Sequence, residues 1–170
     1  MSAELNFEEL VNRYYRDLYR FGLSLTQSEA DAADLTQQTF YIWAKKGHQL
    51  REERNARRWL LTTLHREFLQ QRRRRKRFRE EPLEDAIEQI YSINDISRTD
   101  LQTLLDCLND IHENYRAALV LYYLEDLTYK EIAEVLEIPL GTVQSRIARG
   151  KSQLGQLLNG GRKRQERRVG

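Results

Sequence analysis

A single cysteine, two prolines and eight glycines in 170 residues leave little from which to build a disulfide scaffold or a turn-rich β-sandwich. The lone Cys107 excludes an intramolecular disulfide and any multi-cysteine zinc site, and its spacing against Leu104, Leu105, Leu108 and Ile111 predicts a core position on a helix. Long apolar runs are also missing. The longest, Ala117 to Leu124, has eight residues, against the roughly 18 that a spanning helix needs. The acidic N-terminus has no signal-type apolar core, so a cytoplasmic protein is expected. No HExxH, CxxC or similar spacing recruits His48, His65 or His112 as metal ligands, and no carboxylates cluster. The chain is therefore expected to need no metal or cofactor and to be no enzyme.

What the sequence does have is charge, at 32% of its residues, with few helix breakers. That composition favours long solvated helices and an all-α fold. The net charge of +2 is a sum of opposing blocks. Residues 1 to 78 hold 16 Lys/Arg against 10 Asp/Glu, residues 79 to 108 hold 2 against 8, and residues 142 to 170 hold 8 against 1. Two basic surfaces flanking an acidic middle are the electrostatic footprint of a protein that binds a phosphate backbone. The run Arg72 to Arg77 is basic all round a helix, which amphipathicity does not explain.

Apolar spacing divides the chain into two small helical domains joined by a flexible acidic linker. Phe7, Leu10, Val11, Tyr14, Leu18, Phe21 and Leu25 predict one buried helix face, and Ala33, Thr36, Phe40 and Trp43 a second, capped by Ser28 and running to about Lys46. After a loop from Gly47 to Asn55, a third helix from Ala56 to about Arg77 turns Leu60, Leu64 and Phe68 inward. Residues 79 to 99 read as the linker, with weak apolar spacing at Leu83, Ile87 and Ile90.

The second domain, residues 100 to 158, opens with a helix carrying Leu101 to Ile111 and another carrying Tyr115, Ala118, Leu119 and Tyr122. The run Ala117 to Leu124 also fits a buried strand, but the capping box of Thr128 and Glu131 that follows it opens a further short helix. Pro139 stops that helix, and a longer one buries Val143, Ile147, Leu154 and Leu158. Two helices around a four-residue turn make a helix-turn-helix. Its second helix turns Ser145, Arg149 and Ser152 outward, with Thr142, Gln144, Arg146 and Ala148 on the flanks. Arg149 suits guanine and Gln144 adenine in a major groove, while Thr142, Arg146 and Lys151 suit phosphates. Asn159, Gly160 and Gly161 are expected to end the helix, leaving residues 159 to 170 as a disordered basic tail.

Three segments, DLTQQTFYIW (34 to 43), RRWLLTTLHREFLQQRRRR (57 to 75) and YKEIAEVLEIPLGTVQSRIARGKSQL (129 to 154), together resemble the extracytoplasmic-function sigma factors of bacterial RNA polymerase. The resemblance implies an initiation subunit. Residues 1 to 78 would be a region 2-like domain that binds core polymerase and opens the minus-ten element. Residues 100 to 158 would be a region 4-like domain that reads the minus-thirty-five element. Core RNA polymerase and promoter DNA would be partners, with an anti-sigma factor as a further one. Asp34, Leu35, Gln37, Phe40 and Trp43 match the family's polymerase-binding helix; with Phe40 and Trp43 inward, Asp34, Gln37, Gln38 and Tyr41 make its polar face. Gln38 stands where the family usually has Glu. His48, Arg51, Arg57, Arg58, Trp59, His65, Arg66, Arg72 and Arg73 fall in the part that captures unstacked minus-ten bases, for which planar and cationic groups are suited. Trp59 fits the core as well, and Glu67 replaces a frequent Asn. A stand-alone helix-turn-helix regulator is the rival reading; it leaves the DLTQQTFYIW helix and the Arg72 to Arg77 run unexplained.

Overall fold

A computed structural model describes residues 6–46, 55–78 and 106–166, with side chains to residue 160. Every regular element among them is helical. The expected acidic linker lies outside the described residues. The chain divides into two compact units, Met1–Asp95 and Ile96–Gly170.

The first unit is a three-helix body in which each helix packs on the other two. Helix α1 (Phe7–Thr26) starts where the Asn6 side chain accepts the Glu8 N–H and places Glu8 and Glu9 in its first turn, where the helix dipole favours acids. It buries Leu10, Tyr14, Leu18, Phe21 and Leu25 as the spacing predicts. Val11 and Phe7 depart from that stripe: Val11 is half-buried, and Phe7, at the first helical position, is 46% exposed and makes an edge contact with Phe40. Gln27, in the left-handed region at φ 55°, closes the helix by donating its N–H to Leu23.

Helix α2 (Glu29–Lys46) begins at Ser28, whose Oγ accepts the Asp31 N–H. Its buried set is Ala32, Leu35, Thr36, Thr39 and Phe40, rotated from the expected Ala33, Thr36, Phe40 and Trp43. The reason is that α2 is wedged between two helices and needs a broad face rather than a stripe. Thr36 and Thr39 enter the core because their hydroxyls donate to the carbonyls of Ala32 and Leu35, at 2.7 and 2.8 Å. Helix α3 (Ala56–Phe78) buries Ala56, Leu60, Leu61, Thr63 and Leu64, all in its first nine residues. Phe68 is only half-buried, and residues 72–78 are exposed throughout.

In the second unit, residues 106–109 are helical and Leu108 and Ile111 are buried. Cys107 is half-buried rather than core, because Leu108 takes the inward position beside it. Helix α4 (Glu113–Tyr123), capped by His112, settles the apolar run as helix. Ala117 to Leu121 are consecutive and all buried, which a helix achieves when packed on more than one side. Arg116 is buried too, and its Nη1 donates to the carbonyls of Asn109 and Ile111, fastening the preceding segment to α4. Burial lowers its pKa, an effect that Glu113 partly offsets.

Helix α5 (Tyr129–Leu136) carries the expected capping box. Thr128 Oγ1 accepts the Glu131 N–H at 3.2 Å, and Glu131 Oε2 accepts the Thr128 N–H at 2.8 Å. Glu137, at φ 55°, ends α5 two residues before Pro139, which has a second role beside the expected stop. Its carbonyl accepts the N–H of Thr142 and Val143, so it opens helix α6 (Leu140–Glu166). Helix α6 also runs past Gly160 and Gly161. Ending there calls for a left-handed glycine, and no described glycine has a positive φ. The expected disordered tail is therefore corrected for residues 159–166. Leu158 is 37% exposed, so the buried stripe of α6 ends at Leu154.

Candidate nucleic-acid and polymerase interfaces

On α2 the inward set leaves Asp34, Gln37, Gln38 and Tyr41 on the opposite side, where all four are exposed and line one shallow depression. Tyr41 is 53% exposed, with Lys45 Nζ 4.4 Å from its ring centre. The face offers two amides, a carboxylate and a phenol, a set suited to hydrogen bonding with a partner helix. Leu35 does not belong to it. It is fully buried in the three-helix core, since the same rotation of α2 that exposes Asp34 turns its neighbour inward.

The residues expected to meet single-stranded DNA are distributed along α3; His48 and Arg51 lie outside the described residues. Arg57, Arg58 and Trp59 are half-buried at its N-terminal end. Trp59 meets Trp43 edge to face at 5.1 Å, so each ring keeps one side covered. Arg58 Nη2 donates to Asn55 Oδ1 at 2.9 Å, and Arg57 Nε donates to Asp17 Oδ2 at 3.1 Å. His65 is half-buried and lies on Phe21, with ring centres 6.3 Å apart. Arg66, Arg72 and Arg73 are exposed.

In the second unit the face of α6 emerges largely as its spacing predicts. Gln144, Ser145, Ala148, Arg149, Lys151 and Ser152 are exposed, Thr142 and Arg146 are half-buried, and Val143, Ile147 and Leu154 lie beneath. Two features escape sequence reasoning. Gly150 is buried against α4: a Cβ built there would stand 2.8 Å from Leu119 Cδ1 and 3.2 Å from Tyr115 Cβ. Its signal was a glycine inside a helical pattern, which permits a close approach without requiring one. Lys151 Nζ also lies 5.1 Å from the Tyr122 ring centre and 5.9 Å from that of Tyr123, so it packs on aromatic faces as well as facing solvent. Nothing in the linear spacing announces that meeting.

Among the described residues no three His, Cys, Asp or Glu side chains gather as metal ligands, and no helix is long and apolar enough to cross a membrane. The family model Sigma-70 region 2 matches residues 10–78, and Sigma-70, region 4 matches residues 101–154. The chain is 38% identical over 163 residues to the ECF RNA polymerase sigma factor SigE of Mycolicibacterium smegmatis, covering 90% of this chain but 62% of that one. It is 28% identical over 162 residues to the ECF sigma factor SigM of Bacillus subtilis, covering 92% of this chain and 98% of the relative. Among solved structures, the sigma factor RpoE of Bartonella quintana, crystallised in complex with the anti-sigma factor NepR, aligns with a TM-score of 0.71 at 27% identity, over 90% of this chain and 96% of that one. With both regional models in order across well over half of its length, on an all-helical fold that carries the helix-turn-helix they require, the chain belongs to the sigma-70 family as an extracytoplasmic-function sigma factor.

Proposed function

We propose that this sigma factor divides promoter initiation between its units, without bond-making chemistry of its own, in the cytoplasm. In this reading residues 1–78 hold core RNA polymerase through Asp34, Gln37, Gln38 and Tyr41 and engage the opened minus-ten strand along α3. Residues 100–158 read the minus-thirty-five element with Gln144, Ser145, Ala148 and Arg149. The observation that carries the reading is the coexistence in one chain of the exposed polar α2 face and a helix-turn-helix whose second helix exposes side chains chemically suited to base edges. A stand-alone regulator would need only the second of these. An anti-sigma factor is a further partner in this reading, because the neighbour RpoE was crystallised with one.

The test is run-off transcription with purified core polymerase on a promoter library. Transcripts that depend on both core and this chain are expected. Specific duplex binding that is equally tight without core, together with no transcript, would favour the stand-alone regulator instead.

A further inference from the structure

The arginines of α3 are not equally available. Asp17, on α1, accepts from Arg57 across 40 positions of sequence, in a pair whose side chains are 26% and 30% exposed, and the same carboxylate lies 3.7 Å from Arg20. Asp31, in the first turn of α2, meets Arg75 with both oxygens: Nη1 to Oδ2 at 3.4 Å and Nη2 to Oδ1 at 3.3 Å. One tether holds the start of α3 and the other holds the projecting end, beyond the last buried side chain at Leu64. Ion pairs near the surface add little to stability, so fold maintenance is a weak reason for the more exposed Asp31–Arg75 pair and only a partial one for the half-buried Asp17–Arg57 pair. Their electrostatic effect is direct. A carboxylate against a guanidinium cancels one positive charge as seen by an approaching phosphate and occupies the donors that would contact it.

We propose that Asp17 and Asp31 are positioning residues that hold Arg57 and Arg75 away from the phosphate backbone, so that helices α1 and α2 set how strongly α3 grips DNA irrespective of sequence. Sequence-independent phosphate contacts compete with promoter selection, because they strengthen binding everywhere alike. Restraining two arginines lowers that background and leaves a larger share of the binding free energy to base contacts. The inference rests on reading α3 as the surface for the opened strand.

The test is binding of the full chain to a labelled mixed-sequence single-stranded oligonucleotide across a salt series. Each phosphate contact on a single strand contributes about 0.7 to the slope of log affinity against log salt. Asp17→Asn with Asp31→Asn should steepen that slope by up to about 1.4, which enlarges the affinity gain between about 200 and 50 mM salt by up to about sevenfold. Each single variant should give up to about 2.6-fold. Asp17→Glu and Asp31→Glu keep the charge and should restore the wild-type slope, as a merely structural role would not require. Asp110→Asn, the same loss of charge in the other unit, should leave the slope unchanged. Arg72→Ala with Arg73→Ala should flatten it. If the arginine variant flattens the slope while the aspartate variants leave it unmoved, the tethers are wrong and α3 remains the DNA surface. If the arginine variant changes nothing, the reading of α3 falls and the tethers with it. Should the double variant lose its helical circular dichroism, Asp31→Asn alone, at the more exposed pair, decides.

Discussion

Gly150 and Gly155 stand five residues apart on α6 and should respond differently to the same substitution. Alanine at a helix-interior glycine gains about 1 kcal/mol of helix propensity. At Gly155 nothing lies within 4 Å of the added carbon, so Gly155→Ala should keep most of that gain. At Gly150 the added carbon would sit 2.8 Å from Leu119 Cδ1 and 3.0 Å from its Cγ, and Leu119 is fully buried. Overpacking of that kind costs about 1–3 kcal/mol, so Gly150→Ala should be neutral to destabilising by about 2 kcal/mol. The two variants should therefore differ by at least about 1 kcal/mol, or some 4–8 °C in melting temperature for a domain of this size. Thermal circular dichroism reads the difference. Tryptophan fluorescence supplies an internal reference, since both tryptophans, Trp43 and Trp59, belong to the first unit and their transition should not move. Equal stabilisation by the two substitutions would refute the close approach of α6 to α4. Because Gly150 lies between Arg149 and Lys151, loss of binding to upstream promoter DNA should accompany the destabilised variant.

Three further outcomes are expected. Asp34→Ala with Gln37→Ala should weaken competition for core polymerase without changing helix content, because neither side chain contributes to the buried face of α2; competition at the wild-type concentration would exclude that surface. Arg149→Ala should cost about 1–3 kcal/mol and relax preference at one position of the upstream element, whereas Lys151→Ala should weaken binding evenly and reduce the salt slope by about 1; binding measured on specific and scrambled duplexes separates them. Burial, reinforced by Asp110 and Asp106, raises the pKa of the Cys107 thiol, so less thiolate is present at neutral pH and alkylation by iodoacetamide should be slower than for a free thiol, accelerating as pH rises toward the raised value; a neutral-pH rate at or above that of a free thiol would contradict the assignment.

The sequence made the helices and the helix-turn-helix legible because both are local. Thr128 and Glu131 are three residues apart, and Val143, Ile147 and Leu154 repeat at helical steps, so each signal lies within a few turns of chain. The facing of α2 was less legible. Thr36 and Thr39 look like surface residues until their hydroxyls bond the preceding turn, and the choice between Ala32 and Ala33 depends on where two other helices lie. The long-range pairs were not legible at all. Nothing in the spacing of Asp17 and Arg57, or of Asp31 and Arg75, selects those partners from the many other charges. The end of α6 is not legible either, because glycine permits a left-handed cap without requiring one.

Helix α6 behaves as a cantilever. Its clamped portion ends at Leu154, and the twelve residues from there to Glu166 add about 18 Å of rod at 1.5 Å per residue. A tilt of roughly 10° at the clamp would carry the far end through about 3 Å, by the geometry of a rod of that length. Any load applied to the distal turns is therefore felt at the Gly150 seat, and any change in that seat is magnified at the tip. The segment proposed to read DNA and the segment that projects beyond it belong to one continuous helix, so a displacement at either end is communicated to the other along the same rod.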